Sequence, residues 1–174
     1  VDNRPLAVRA GDAGAVRVTT VGGHLLHAIP SRAGTVDLVA WGALQGGDWG
    51  ALSHRAHALA LEAGWQPAGM PWRPWLRATW FAGSGDTDAG DRRHGTFFEV
   101  LPTPRPFARF PFHNLMNVEQ GGGTVILRPS PRITLRSDVN ALRLRRASDL
   151  WYAGGGAFER ASFGYAGRPG GGAR

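Results

Sequence analysis

The residues of this chain that could bind a ligand are arginines and carboxylates in short segments with a two-residue period. All 20 basic residues are arginine, because the sequence contains no lysine. A planar guanidinium holds a carboxylate through two parallel hydrogen bonds and so suits an anionic ligand better than lysine does, although a GC-rich coding bias would give the same composition. The candidate pore-lining and ligand-binding residues on the polar faces of these segments are Arg77, Arg128, Arg136, Glu62, Asp138 and Asn140.

Two interpretations are open for this row of charges. If the arginines stay available, an anion meets a series of sites of moderate affinity, which lets it enter and also leave. If the acids neutralise the arginines fully, the same residues form a rigid and purely structural ladder of ion pairs. Strand spacing does not decide between the two, because it leaves the pairing of the side chains open.

A calcium site is a weaker candidate. Asp86, Asp88 and Asp91 give three carboxylates within six positions, which could supply oxygen ligands to a hard cation. The full calcium-loop pattern is absent, and Arg92 and Arg93 could pair with these acids in a solvated loop. We therefore predict no cofactor, with calcium as the alternative at these three positions.

The chain shows no catalytic motif. His24 and His27, like His54 and His57, stand three positions apart, and on a strand that spacing sends the two rings to opposite faces. There is no nucleophile elbow, no HExxH and no glycine-rich phosphate loop. Cysteine is absent, so no disulfide or thiolate metal site can form. We predict that the protein is not an enzyme.

The elements that must position these residues are extended strands. Seven segments alternate in polarity between glycine- and proline-rich turns: Ala15–His27, Val36–Leu44, Ser53–Gln66, Trp75–Ala82, Gly123–Arg128, Arg132–Leu144 and Trp151–Phe163. The segment Ala51–Ala63 is rich in alanine and leucine and could be a helix instead. No run of about 18 apolar residues exists, which excludes a transmembrane helix.

The faces of the strands can be assigned from this alternation. In the sixth segment Ile133, Leu135, Val139 and Ala141 share one side, while Thr134, Arg136, Asp138 and Asn140 share the other. A soluble sandwich would show the same alternation. Most of the seven tryptophans lie near strand or turn boundaries, which fits the aromatic girdles of a membrane barrel as well as ordinary core packing.

One long segment, Gly83–Asn117, separates the fourth and fifth predicted strands. It holds four prolines and five phenylalanines and shows no helical period. Compact domains seldom contain such connections, whereas outer-membrane barrels have long external loops. We predict an all-β, antiparallel up-and-down meander from a large transmembrane β-barrel. Its loop, about residues 83–117, should fold against the barrel mouth, where Arg105 and Arg109 could contact a polyanion.

The net charge of +7 permits nucleic acid, an anionic membrane or an acidic ligand as partner. Arginine and phenylalanine alternate between Arg105 and Phe110 in a way that superficially suits single-stranded nucleic acid. The prolines of this segment disfavour that interpretation, so we predict no nucleic-acid partner.

Several longer segments resemble the alginate-export family of outer-membrane β-barrels. They are WGALQGGDWG (Trp41–Gly50), HRAHALALEAGWQP (His54–Pro67), PWLRATWFAGSGD (Pro74–Asp86), RHGTFFEVLPTPRPFARFPFHN (Arg93–Asn114), LRPSPRITLRSDVNALRL (Leu127–Leu144) and DLWYAGGGAF (Asp149–Phe158). The resemblance spans about Thr35 to Arg168. It implies a bacterial outer-membrane channel for the passive export of an anionic polysaccharide such as alginate, or of related anionic solutes, through an arginine-lined pore.

The resemblance also implies partners and a domain organisation. The partners would be the polysaccharide, outer-membrane lipid and periplasmic export components. The chain lacks an export signal at its start and an aromatic strand at its end, so we expect residues 1–174 to be one partial domain from the later part of a barrel. Two alternatives remain open: a soluble β-sandwich that binds acidic glycans, and a structural outer-membrane barrel that does not conduct.

Overall fold

The computed structural model describes residues 15–99, 114–153 and 166–169. Nine strands form in this part of the chain: β1 (Val16–Ser31), β2 (Gly34–Trp49), β3 (Leu52–Pro67), β4 (Trp75–Gly83), β5 (Arg93–His94), β6 (Val118–Ser130), β7 (Ile133–Leu144), β8 (Leu150–Ala153) and β9 (Ala166–Pro169). The described residues form no helix that is long and apolar enough to cross a membrane.

The main sheet is an antiparallel meander in the order β1-β2-β3-β4-β6-β7. The short strand β5 pairs in parallel with the start of β3, and β8 pairs with β9 in a separate sheet. Within the described ranges β1 and β7 do not pair with each other, so the sheet is open at both edges. The predicted all-β meander is confirmed.

The two ends of the sheet differ in the length of their connections. One end, called the turn end below, carries residues 32–33, 68–74 and 131–132. The opposite end, called the loop end, carries residues 50–51, the described loop residues 84–99 and 114–117, and residues 145–149. The connection between β4 and β6 is much longer than the others, and long connections confined to one end of the sheet are typical of bacterial outer-membrane barrels.

Six of the predicted segments are confirmed as strands, and most extend a few residues beyond the predicted bounds. The seventh begins as β8 at Leu150, and its residues 154–163 lie outside the described part of the chain. The helical alternative for Ala51–Ala63 is wrong, because β3 pairs with β2 along its whole length and with β4 over its second half. Small alanines alternate there with longer side chains, which gives a strand period despite the helix-favouring composition.

The outer face of the sheet is apolar and exposed. Its large apolar side chains include Val21, Leu38, Leu44, Leu59, Leu61, Trp65, Leu76, Val125, Ile133, Leu135 and Val139. Val139 is 73% exposed and Leu135 is 52% exposed. The predicted apolar face of the sixth segment is therefore the outer face of β7.

The inner face is covered at the loop end by the first and last parts of the long loop. One buried cluster joins Val16 and Trp49 to Phe98, Met116 and Tyr152. A second cluster joins the small alanines of β2 and β3 to Phe81 and Phe97. The loop thus folds onto the sheet with Phe97 and Phe98 buried, as expected, while Phe107, Phe110 and Phe112 lie outside the described residues.

Candidate functional site

The inner face holds a cavity of about 640 Å³, called the inner cavity below. Its walls come from β1, β2, β3, β4, β6 and β7, and the loop residues Phe97, Phe98, Glu99 and Leu115 close it toward the loop end. Five of the six residues predicted to line a pore face this cavity: Glu62, Arg77, Arg136, Asp138 and Asn140.

Arg77 is held by two acids. Its guanidinium pairs with Glu62 on the neighbouring strand β3 and lies 3.8 Å from Asp37 Oδ1 on β2. Trp75 Nε1 donates a hydrogen bond of 2.8 Å to Asp37 Oδ2, and the Arg77 guanidinium carbon lies 4.7 Å from the Trp75 ring centroid. Charge pairing and the cation–π contact together fix the position of this guanidinium.

The space for this network depends on Gly64. A Cβ atom at Gly64 would collide with the Asp37 carboxylate, so only glycine allows that acid to lie across β3. Gly122 on β6 has the same role for Asn140, whose side-chain oxygen occupies the space of the missing Cβ.

Arg136 is held on β7 by Asp138, two positions along the same face. Arg136 Nε donates to Asp138 Oδ2 at 2.8 Å, and Nη2 donates to Oδ1 at 2.9 Å. Thr124 on β6 donates a further hydrogen bond of 2.6 Å to Asp138 Oδ1. The Arg136 side chain stays 53% exposed, so part of its guanidinium remains open to the cavity.

The charge balance of the inner cavity differs from the expected row of arginines. Two arginines, Arg77 and Arg136, face three carboxylates, which belong to Glu62, Glu99 and Asp138. Both arginines are paired, which is the arrangement expected of an ion-pair ladder. They differ in exposure, because the Arg77 side chain is only 24% exposed. Of the two, Arg136 is better placed to contact a ligand.

Other predicted site residues lie apart from the inner cavity. Arg128 stands near the turn end of β6, where the register with β7 shifts between Leu127 and Ser130, and its backbone nitrogen donates to Trp72 O at 2.6 Å. It is not among the residues that line the cavity. Arg105 and Arg109 lie outside the described residues.

The three aspartates proposed for calcium take part in separate hydrogen bonds. Asp88 Oδ1 accepts from Gly90 N, Asp91 Oδ1 accepts from Arg93 N, and the backbone nitrogen of the buried Asp86 donates to Asp149. Among the described residues no group of three or more histidines and acids is arranged to hold a metal ion. The calcium alternative remains a prediction without geometric support.

A buried polar cluster that we did not predict attaches the loop to the sheet. Gln45 on β2 donates to Phe98 O and accepts from Phe98 N, both at 2.7 Å. His54 Nδ1 lies 2.9 Å from His94 Nδ1, and the Trp49 ring stacks on His94 with centroids 3.9 Å apart. We call these five residues the loop clamp. Strand parity places Gln45 and His54 on the inner face, but nothing in the sequence indicates that His94 and Phe98 return to them.

The tryptophans divide between the two faces. Trp65 on β3 and Trp80 on β4 lie on the outer face of the sheet, which is consistent with an aromatic girdle. Trp80 Nε1 donates a hydrogen bond of 3.1 Å to Glu119. Trp41, Trp49 and Trp75 face inward, where they contact Phe97, His94 and Asp37. The girdle interpretation is therefore wrong for these three, because the loop and the acids of the inner face provide their partners.

An antiparallel meander with an exposed apolar outer face and a charged inner face defines a class of protein, the transmembrane β-barrel. The model of the family described as "Alginate export" matches residues 2–172, nearly the whole chain. The chain belongs to the alginate-export family. Among curated proteins and among solved structures, none matches it.

Proposed function

We propose that this chain forms part of an outer-membrane β-barrel through which a polysaccharide is passively exported, and that the polysaccharide is anionic, as alginate is. Family membership supports the transport of a polysaccharide. The contrast between the two faces of β7 supports the other two parts of the proposal, which are the membrane barrel and the anionic polysaccharide. Arg136 and Asp138 face the inner cavity, while Leu135 and Val139 are exposed on the outer face.

The outer face is suited to lipid rather than to water. A soluble sandwich packs its apolar face against a second layer and exposes a polar face. Here the exposed face is the apolar one, from Val21 on β1 to Val139 on β7. Strands of 9 to 16 residues are also long enough to cross a bilayer when tilted. This arrangement favours a membrane barrel over a soluble glycan-binding sandwich.

The inner cavity offers the contacts that a sugar chain needs. Trp41, Phe81 and Phe97 provide apolar ring surfaces, and Thr79 and Asn140 provide hydrogen-bonding groups. Pockets that bind small molecules combine largely apolar walls with a few directed polar groups. A polysaccharide could pack its ring faces on the former and its hydroxyl groups on the latter.

The paired arginines suit a passing anion better than a tightly bound one. Asp138 fixes the Arg136 guanidinium through two hydrogen bonds but leaves half of the side chain exposed. The exposed part can donate to a uronate carboxylate, and the adjacent acid limits the affinity of that contact. Conduction requires such weak sites, because a strongly bound ligand would not leave.

Conductance of the complete protein in planar lipid bilayers tests this function. We expect oligouronates to block the current and neutral oligosaccharides of equal length to block it less. Arg136→Gln should weaken the oligouronate block by about tenfold or more, because a hydrogen bond to a charged group contributes at least about 1.5 kcal/mol. The matched control is Arg143→Gln, on the outer face of the same strand, where the arginine pairs with Glu119.

Equal block of the current by neutral and uronate oligomers would contradict the proposal that the polysaccharide is anionic. A barrel that inserts but carries no current would favour the non-conducting structural alternative. One observation supports that alternative: the loop end of the inner face is filled by packed side chains, including Trp49 and Met116 at 1% and 0% exposure.

A further inference from the structure

We propose that a basic pocket on the outer face of the loop end binds the phosphate groups of a phosphorylated membrane glycolipid. The inference rests on the proposed membrane location of the barrel but not on what passes through its lumen. The pocket has a volume of about 240 Å³ and is separate from the inner cavity. Its basic residues are Arg55, His57, Arg93, Arg145 and Arg146.

The pocket lies directly beyond the apolar band. Arg55 and His57 are exposed and share the outer parity of β3 with Leu59 and Leu61, which are 40% and 45% exposed. Alternate residues on a strand lie about 7 Å apart, so the path from Leu59 to Arg55 covers about 13 Å. A lipid whose acyl chains lie on the leucines would therefore place its headgroup at the arginines.

The backbone around the pocket is held in place by the loop end. Strand β5 pairs Arg93 with Ser53 at the start of β3, next to the strand segment that carries Arg55. Beyond β7, Arg145 N donates to Asn117 O at 2.9 Å, and Asn117 Nδ2 donates to Arg146 O at 3.0 Å. Three separate segments thus converge on the pocket, and little backbone ordering would be needed on binding.

The charge of the pocket is positive and not internally neutralised. Its lining includes four arginines but only two carboxylates, which belong to Asp86 and Asp91. Within the described residues the arginine–carboxylate ion pairs involve Arg77, Arg136 and Arg143, so none of the four pocket guanidinium groups forms a close ion pair. Arg145 interacts with Glu119 only through a longer-range charge attraction. Asp86 is 4% exposed, and Asp91 accepts the backbone hydrogen of Arg93.

These groups favour phosphate over a single carboxylate. Arginine forks bind phosphate oxygens through paired charged hydrogen bonds, and several arginines around one pocket can share a dianion. Thr87, which also lines the pocket and is exposed, adds a neutral hydroxyl group that can bond to a sugar. The two features together match a phosphorylated sugar at the head of a lipid.

The test uses the complete protein, purified in detergent, and measures the lipid that it retains by native mass spectrometry. The probes are a bisphosphorylated diglucosamine lipid, the same lipid without phosphates, and inorganic phosphate. We expect tight retention of the first probe only. The double variant Arg145→Gln/Arg146→Gln should weaken that retention by about tenfold or more, since charged hydrogen bonds are lost at two residues.

The matched control is the double variant Arg32→Gln/Arg73→Gln, which removes two exposed arginines at the turn end. It should leave retention unchanged. The pocket variant should also leave conductance and oligouronate block unchanged, so failure here and failure of the proposed export function give different results. Equal retention of the dephosphorylated lipid, equal binding of inorganic phosphate, or an equal loss in the control would each overturn the proposal.

Discussion

Two regions of the same inner face have opposite characters. Near the loop end, Trp49, His54 and Gln45 are buried under the returning loop. Further from the loop end on the same face, Glu62, Arg77 and Asn140 border an open cavity. Both regions have inward-facing residues at every second position, so periodicity does not distinguish them. The difference comes from the long loop, whose buried residues Thr96–Phe98, Met116 and Asn117 cover the first region and only border the second.

The inner face thus combines a rigid, packed region with an open one. Burial of aromatic rings and paired backbone groups stabilises the packed region. The open region keeps its charged groups in place with ion pairs instead, which leaves them in contact with solvent. We expect variants in the packed region to act mainly on stability and variants in the open region to act mainly on conduction.

The largest effect is expected from Trp49→Ala. This change removes the ring that stacks on His94 and meets Phe98 edge-on at 5.6 Å, and leaves a cavity that the sheet cannot fill. It should lower the free energy of unfolding by about 3–5 kcal/mol in denaturant titrations of the complete barrel in detergent. Trp65→Ala, on the outer face where the ring is 43% exposed, is the control and should cost clearly less. Equal losses would mean that the packed region is not a core.

A smaller loss is expected from Val139→Arg, which tests that the open region is the inside of the barrel. Val139 lies on the outer face at the middle of β7, so a charge there would enter lipid near the bilayer midplane and cost about 2–4 kcal/mol. Refolding into lipid vesicles measures this. Thr134→Arg places the same charge on the inner parity of the same strand and should cost far less. A larger cost for the inner-face variant than for the outer-face variant would mean that the inner and outer faces are assigned the wrong way round.

The smallest loss of stability is expected from Gln45→Leu, which cuts the loop clamp at one point. It removes both 2.7 Å hydrogen bonds to the Phe98 backbone and should cost about 1–3 kcal/mol. Because Phe97 and Phe98 close the inner cavity, their release should also raise single-channel conductance and expose residues 84–99 to protease.

Thr20→Val is the control for that variant, since Thr20 only accepts a hydrogen bond of 3.1 Å from Gln45 and leaves the Phe98 contacts intact. Unchanged conductance together with an unchanged protease pattern would show that the clamp does not hold the loop in the lumen. The packed and open regions would then not be coupled.

The sequence by itself determined the strands, the two faces and the family. A two-residue period places Arg77 and Arg136 on one side and Leu135 and Val139 on the other, whatever the neighbouring strands are. Glycine and proline punctuate the strands, so their approximate bounds also follow from local signals. The helical alternative at Ala51–Ala63 shows where composition misleads, because β3 is stabilised by pairing on both sides rather than by local propensity.

Only the tertiary structure decided which residues meet. Register pairs Gly64 with both Asp37 and Arg77, which brings that acid to the arginine together with Glu62 and gives Arg77 two partners. The return of the loop brings His94 and Phe98 to His54 and Gln45, which stand 40 and 53 positions away in the chain. Such contacts depend on strand register and loop closure over long separations, and no local pattern encodes either of them. The faces could therefore be predicted, while the ion pairs, the loop clamp and the outer basic pocket could not.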